Sequence, residues 1–196
     1  MIDPLVERIA TRIRAERERR RWTLAQLADA SGVSRAMINR IERGESNPTA
    51  VVLGKLSAAF QLSVASLLAV AEDVPAEDIP AEEPEGVRRR GDDAEWTDPE
   101  TGYRRRQITS PRFPAEIAEI HLPPGARVPY PAAAFAFLRQ LVWVLEGRLT
   151  FRDGDSVHEL GPGDVIELGD PAPRVFVNSG ATACRYAVVL SRTSRP

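Results

Sequence analysis

The sequence predicts a two-domain α plus β protein, with an all-helical N-terminal domain followed by an antiparallel β sandwich or small barrel. In the first third of the 196 residues, apolar side chains recur every three or four positions, as they do on amphipathic helices. From Trp96 onward they alternate in short runs separated by Gly- and Pro-containing turns, which indicates many short strands. Residues 72–95 hold 10 acidic and 3 basic residues and several prolines, a composition that does not fold alone. We therefore predict a helical domain at 1–71, an acidic linker at 72–95 and a β domain at 96–196.

Five short helices account for the first domain. The first carries Leu5, Ile9 and Ile13 on one face. Each later helix starts after a hydroxyl side chain that can accept a hydrogen bond from the first turn, and Gly32 and Gly44 interrupt the chain after the second and third helices. The four predicted helix starts are Thr23, Ser34, Thr49 and Ser63.

The second domain is predicted from runs rich in β-branched and aromatic residues. Their number and even spacing are typical of a sandwich or small barrel. The predicted strands are Ala115–Leu122, Leu138–Leu145, Leu149–Phe151, Val165–Leu168, Val175–Val177 and Arg185–Leu190.

Composition excludes several classes of protein. A single cysteine, Cys184, excludes an intramolecular disulfide, and no apolar run reaches the length of a membrane span. The first 21 residues lack the apolar core of a signal peptide, so we expect a cytoplasmic protein without a membrane partner. The helical domain holds 11 basic and 7 acidic residues, which favours an anionic partner.

The segment from Thr23 to Arg43 has the pattern of a helix, a glycine turn and a second helix with polar donors on its outer face. Arg35, Asn39 and Arg40 lie near the start of that second helix. Arginine can bind guanine and asparagine can bind adenine in the major groove, and the Arg-rich first helix could contact phosphates. The alternative is a plain helical hairpin with a solvated basic face.

Residues 8–69 resemble the XRE-type, lambda-repressor/Cro-like helix-turn-helix family. The resemblance lies in Arg14, the run Thr23-Leu-Ala-Gln-Leu-Ala28, Gly32-Val-Ser34, Ile38, Ile41-Glu-Arg-Gly44 and Asn47-Pro-Thr49. It implies base reading by Arg35, Ala36, Asn39 and Arg40, phosphate contacts from Thr23, Leu24, Arg43 and Asn47, and a DNA-binding surface that includes Ser34. The implied partner is an operator in double-stranded DNA.

Residues 103–191 resemble a cupin, an antiparallel β jelly-roll barrel. The resemblance lies in Pro124-Gly125, Val144-Leu-Glu-Gly147, Pro162-Gly-Asp164 and Asn178. The metal-ligand positions of cupins fall at or near Pro131, Ala133, Gln140 and Arg174, which are not normal metal ligands. With His121 and His158 on different strands or turns, we expect no metal and no cofactor.

Alternation along Leu138–Leu145 divides the side chains between two faces. Gln140, Val142 and Val144 would point inward, and with Arg174 they suggest a pocket for a small organic anion or amide. The alternative is a filled barrel with Arg174 turned to solvent. The opposite face, which carries Trp143, would pack on another sheet or on a second subunit.

Together these patterns predict a DNA-binding transcriptional regulator whose cupin domain forms a homodimer and senses a small-molecule effector. Two alternatives remain open. One is a metal-dependent cupin enzyme, an isomerase or dioxygenase, tethered to DNA. The other is a cupin that serves only for dimerisation.

Overall fold

A computed structural model of the chain describes residues 4–68, 87, 89, 95–110 and 113–192. The first of these ranges forms five helices, and we call it the helical domain. Their bounds are α1 Pro4–Arg19, α2 Leu24–Ser31, α3 Arg35–Glu42, α4 Ala50–Phe60 and α5 Val64–Leu68.

The predicted helix starts are confirmed. Thr23 and Gln26 form a reciprocal capping box, in which Thr23 Oγ1 accepts from the Gln26 amide and Gln26 Oε1 accepts from the Thr23 amide. The Ser34 and Thr49 hydroxyls cap α3 and α4 by accepting from the Met37 and Val52 amides, and the Ser63 hydroxyl accepts from the Ser66 amide at 2.8 Å. These caps satisfy amides that lack an intrahelical partner, which is why the boundaries are readable from sequence.

Residues 95–192, which we call the β domain, contain ten strands in the part that the structure describes. Strands β1, β2, β3, β10, β5 and β8 form one antiparallel sheet in that order, and β4, β9, β6 and β7 form a second. The strands are β1 Glu95–Thr97, β2 Arg104–Gln107, β3 Ala115–Leu122, β4 Arg127–Tyr130, β5 Leu138–Glu146, β6 Leu149–Asp153, β7 Ser156–Leu160, β8 Val165–Glu167, β9 Arg174–Val177 and β10 Cys184–Arg192.

The two facing sheets confirm the predicted fold class, a helical domain followed by an antiparallel β domain that resembles a cupin barrel. All six predicted strands are present, whereas β1, β2, β4 and β7 were not predicted. The first strand begins at Glu95, the last residue of the predicted linker; most of that linker lies outside the described residues. The domain bounds at 71 and 72 stay predictions for the same reason.

The core of the β domain lies between the two sheets. Val142 and Val144 are fully buried, and the rings of Phe176 in β9 and Tyr186 in β10 stack across the sheets at 5.6 Å. Trp143, on the other face of β5, is 45% exposed, as the alternation predicts.

The helical and β domains pack directly against each other, and buried apolar side chains run continuously from one into the other. Helix α4 lies against β4 and against a short 3₁₀ turn, Ala132–Phe135. The contact is close, since a Cβ atom built on Gly54 would lie only 2.4 Å from Cδ1 of Tyr130. None of the described helices has the length and hydropathy of a membrane-spanning segment.

Candidate nucleic-acid interface and domain-junction cavity

Helix α3 is held by its apolar face and by the turn before it. Ile38 and Ile41 are buried in the helical core, and Gly32 ends α2 with φ of 64°, a left-handed conformation that costs glycine little. The opposite face of α3 is therefore directed to solvent.

Five of the nine residues predicted to contact DNA lie on this exposed face, and the first of them along the chain is the residue that caps α3. Among the described residues, Arg35 and Arg40 form no ion pair, so their guanidinium groups are free to bind another molecule. The exposed set is Ser34, Arg35, Ala36, Asn39 and Arg40.

The basic residues of α1 are mostly engaged within the protein rather than directed to a ligand. Arg17 binds Glu42 at the end of α3 through two hydrogen bonds of 2.7 and 2.8 Å, and it also donates to the Trp22 carbonyl at 2.9 Å. This bidentate pair fixes the end of α3 against α1. The buried carboxylate of Glu16 pairs with three further arginines, Arg12, Arg19 and Arg20.

Four predicted phosphate contacts have different surroundings. Thr23 is exposed and Leu24 is partly buried against the core. Arg43 is exposed and pairs with Glu45 at 2.7 Å. Asn47 lies at the domain junction, where its Oδ1 accepts from Trp96 Nε1 at 3.0 Å and its Nδ2 donates to the Thr97 carbonyl at 3.3 Å.

Two carboxylates of the β domain also bind the helical domain. Asp98, only 2% exposed, accepts from the Ala50 amide at 3.2 Å and so places a negative charge at the N-terminus of α4, where it is favoured. Glu116 accepts hydrogen bonds from the hydroxyls of Ser63 and Ser66 at the start of α5. The junction therefore contains polar contacts that sequence periodicity does not reveal.

A cavity of about 40 Å³ lies at this junction, between the two sheets and the start of α5. Gln140 lines it, as predicted, whereas Val142 and Arg174 do not. The other polar groups that line it have no place in the sequence-predicted site: Ser63, Tyr103, Arg105, Tyr130 and Tyr186.

Arg174 is buried, which contradicts the alternative that it turns to solvent. It is 1% exposed, its Nε donates to Asp153 at 2.8 Å, and its Nη2 donates to the Asp170 carbonyl at 2.9 Å. Its guanidinium also lies 4.6 Å from the centre of the Phe135 ring. Its Nη1 has no hydrogen-bond partner among the described residues, but the side chain is held by Asp153 and Asp170 and does not line the junction cavity to which the effector is assigned.

Arg105 differs from the arginines on either side of it in β2. Arg104 pairs with Glu95 and Arg106 with Glu119, but Arg105 pairs with no carboxylate among the described residues. Its side chain is directed inward, with 7% of the residue exposed, and its Nε has no hydrogen-bond partner.

The described residues contain no group of three His, Cys, Asp or Glu side chains arranged to hold a metal ion. His121 is in the six-stranded sheet and His158 in the four-stranded sheet, where it stacks on Phe151. Burial lowers the pKa of His121, with a further contribution from Arg104.

The helical domain is similar in sequence to known proteins. Residues 13–67 match the family described as Helix-turn-helix, HTH_3. Over 56 residues, or 29% of this chain, the sequence is 41% identical to the HTH-type transcriptional regulator SutR of Escherichia coli K12. The match spans 32% of that relative's length.

The whole chain is similar in fold to a crystal structure of an HTH_3 family transcriptional regulator from Vibrio cholerae. The TM-score is 0.73 at 22% sequence identity, and the superposition covers 95% of this chain and 96% of that one. A cupin domain of an XRE family transcriptional regulator from Enterobacter cloacae superposes on 45% of this chain and 95% of its own, with 16% identity and a TM-score of 0.42.

Proposed function

We propose that this chain, whose residues 13–67 are a helix-turn-helix domain of the XRE type, is a sequence-specific DNA-binding transcriptional regulator. One observation carries the proposal: the outer face of α3 presents Arg35, Asn39 and Arg40 together, exposed and outside any ion pair of the described residues. Long donors near the start of an exposed helix are what major-groove recognition requires. The E. coli relative, described as an HTH-type transcriptional regulator, supports the same function.

The proposed DNA surface combines base contacts and phosphate contacts. The proposed base-reading residues are Arg35, Ala36, Asn39 and Arg40. Arg43 binds phosphate after release from Glu45, because the ion pair between these two exposed side chains contributes little stability. Thr23 and Ser34 are exposed at the starts of α2 and α3, and partly buried Leu24 follows Thr23, so the hydroxyls and backbone amides there are the groups proposed to bind phosphate. Asn47 is engaged by Trp96 and Thr97, so we assign it to the domain junction instead.

Selection from a random duplex library, followed by titration of the selected site, tests this proposal. Arg40→Ala should weaken binding to that site by roughly 1–3 kcal/mol while changing affinity for random DNA much less. Arg148→Ala is the matched control, because Arg148 is exposed on the β domain and the charge change is the same. Equal losses on both DNAs would make Arg40 a phosphate contact, and failure to select any site would refute the proposal.

We also propose that the β domain forms the homodimer. Trp143 in β5 and its cross-strand neighbour Val165 in β8 are 45% and 53% exposed, side by side near the edge of the six-stranded sheet. A two-fold axis through such a patch buries it on both subunits. A dimer would present two copies of α3, and helix-turn-helix dimers bind half-sites roughly 34–36 Å apart.

The β domain further serves, in this proposal, as an effector sensor in a cytoplasmic regulator. The cavity at the junction with α5 supports a sensor, because a ligand there would contact both domains. The rival is a metal-dependent cupin enzyme tethered to DNA. Elemental analysis of the purified protein discriminates the two, since the rival requires about one zinc, iron, nickel or manganese ion per chain.

A further inference from the structure

Arg105 brings a positive charge into the interior of the β domain, and no carboxylate of the described residues pairs with it. The residue is 7% exposed, and its nearest charged neighbours in the strand are already neutralised by Glu95 and Glu119. An arginine guanidinium stays protonated in proteins, so this positive charge persists although the residue is buried. A buried charge without a counterion is costly, and proteins normally pair it.

The groups around the guanidinium can donate hydrogen bonds but cannot neutralise it. Burial raises the pKa of Tyr130 and Tyr186 well above the ordinary value, so both side chains are neutral and keep their O–H groups. Tyr103 adds a further hydroxyl to the lining, and Gln140 adds an amide. One cation, neutral hydroxyls and an amide, in a cavity otherwise lined by apolar side chains, match an anion with two acceptor oxygens.

We propose that this cavity binds a small monocarboxylate, with Arg105 as its counterion. The volume of about 40 Å³ sets the size of the ligand. A space of this volume suits a small ligand, so we take the carboxylate to have one to three carbons. Formate, acetate and glycolate are in this range.

The location of the cavity gives the ligand a regulatory role, and this part of the inference rests on the proposed function. Ser63 and Val64, at the start of α5, form the wall contributed by the helical domain, and the Ser63 hydroxyl also donates to Glu116 of the β domain. A bound carboxylate therefore contacts the helical domain at the hydrogen bonds that dock it. Its occupancy is linked to the docking of the two domains, since a ligand that differs in affinity for two arrangements shifts their populations.

Calorimetric titration of the full chain with sodium formate, acetate and glycolate tests the proposal. Sodium chloride at equal ionic strength and neutral acetamide serve as ligand controls. We expect saturable binding of at least one carboxylate, no saturable binding of acetamide or chloride, and at least tenfold weaker binding in Arg105→Gln. Arg104→Gln is the matched control in the same strand, because its side chain pairs with Glu95 outside the cavity, and it should bind like the unchanged protein.

If Arg105→Gln does not fold, Tyr130→Phe takes its place. This substitution keeps the aromatic ring that packs on Gly54 but removes its hydroxyl, which is one hydrogen-bond donor of the cavity lining. The same titration should therefore show weaker carboxylate binding. Absence of saturable binding in the unchanged protein, or equal binding in Arg105→Gln, overturns the inference. The carboxylate titrations of the protein and its variants need no DNA. If no carboxylate binds but a DNA site can still be selected, this inference fails and the proposed function stands.

Discussion

Substitution of Gly54 by alanine separates the helical domain's own stability from its docking on the β domain. In a helix interior, alanine stabilises by about 0.5–1 kcal/mol relative to glycine. In the docked chain, however, the new methyl group would lie 2.4 Å from Cδ1 and 2.8 Å from Cε1 of Tyr130. Overpacking of this kind costs about 1–3 kcal/mol, so it outweighs or at least offsets the gain in helix propensity.

A double-mutant cycle measures the clash directly. Gly54→Ala should destabilise the full chain or leave it unchanged, whereas in a Tyr130→Ala background the same substitution should stabilise it by about 0.5–1 kcal/mol. The coupling energy between the two positions should therefore be about 1–3 kcal/mol in urea unfolding. The loss of the tyrosine ring has its own cost, but that cost cancels in the cycle. A coupling energy near zero, with Gly54→Ala stabilising both backgrounds, would refute the docked arrangement of α4 and β4.

The remaining predictions concern assembly and pH. Trp143→Glu should convert a dimer to a monomer in sedimentation equilibrium without unfolding the chain, because the side chain is 45% exposed; a dimer that persists would contradict the proposed interface. Burial acts to raise the pKa of Glu16, but hydrogen bonds from Arg20 and Arg19 outweigh it and leave that pKa lowered. Ionised Glu16 therefore stabilises the folded chain by about 1–3 kcal/mol at pH values above about 4.3, the pKa of a glutamate in the unfolded chain. This stabilisation is lost as the pH falls through the lower pKa that Glu16 has in the folded chain. Glu16→Gln should abolish this part of the acid sensitivity in thermal unfolding, and unchanged sensitivity would assign it to other carboxylates.

Sequence patterns predicted the elements whose signals are local. Helix caps such as Thr23 and Ser34 act within three residues, and a strand such as β5 is marked by its own short run of β-branched and aromatic residues between turns. Strand β2 was missed because Arg-Arg-Arg-Gln has no apolar residue, although its middle arginine points into the core.

The interior of the β domain was predicted only in part, because its contacts are distant in sequence. Gln140 lines the cavity as its strand position implies, but Arg174 is paired with Asp153 by the β6–β9 register, which sequence spacing does not give. The buried position of Arg105 follows from which face of β2 meets the second sheet. The junction contacts of Asn47 depend on how two domains pack, and a motif assigned by family resemblance cannot encode that.

The close packing of Gly54 against Tyr130 bears on the common practice of exchanging recognition modules between regulators. A foreign helix-turn-helix segment grafted onto residues 95–192 would need a glycine at the position of Gly54, because any β-carbon there meets the tyrosine ring. It would also need an amide side chain at the position of Asn47 to satisfy the Trp96 indole N–H. Chimeras that change only the exposed face of α3 keep both requirements, so operator preference can be re-engineered on this scaffold without transplanting the domain.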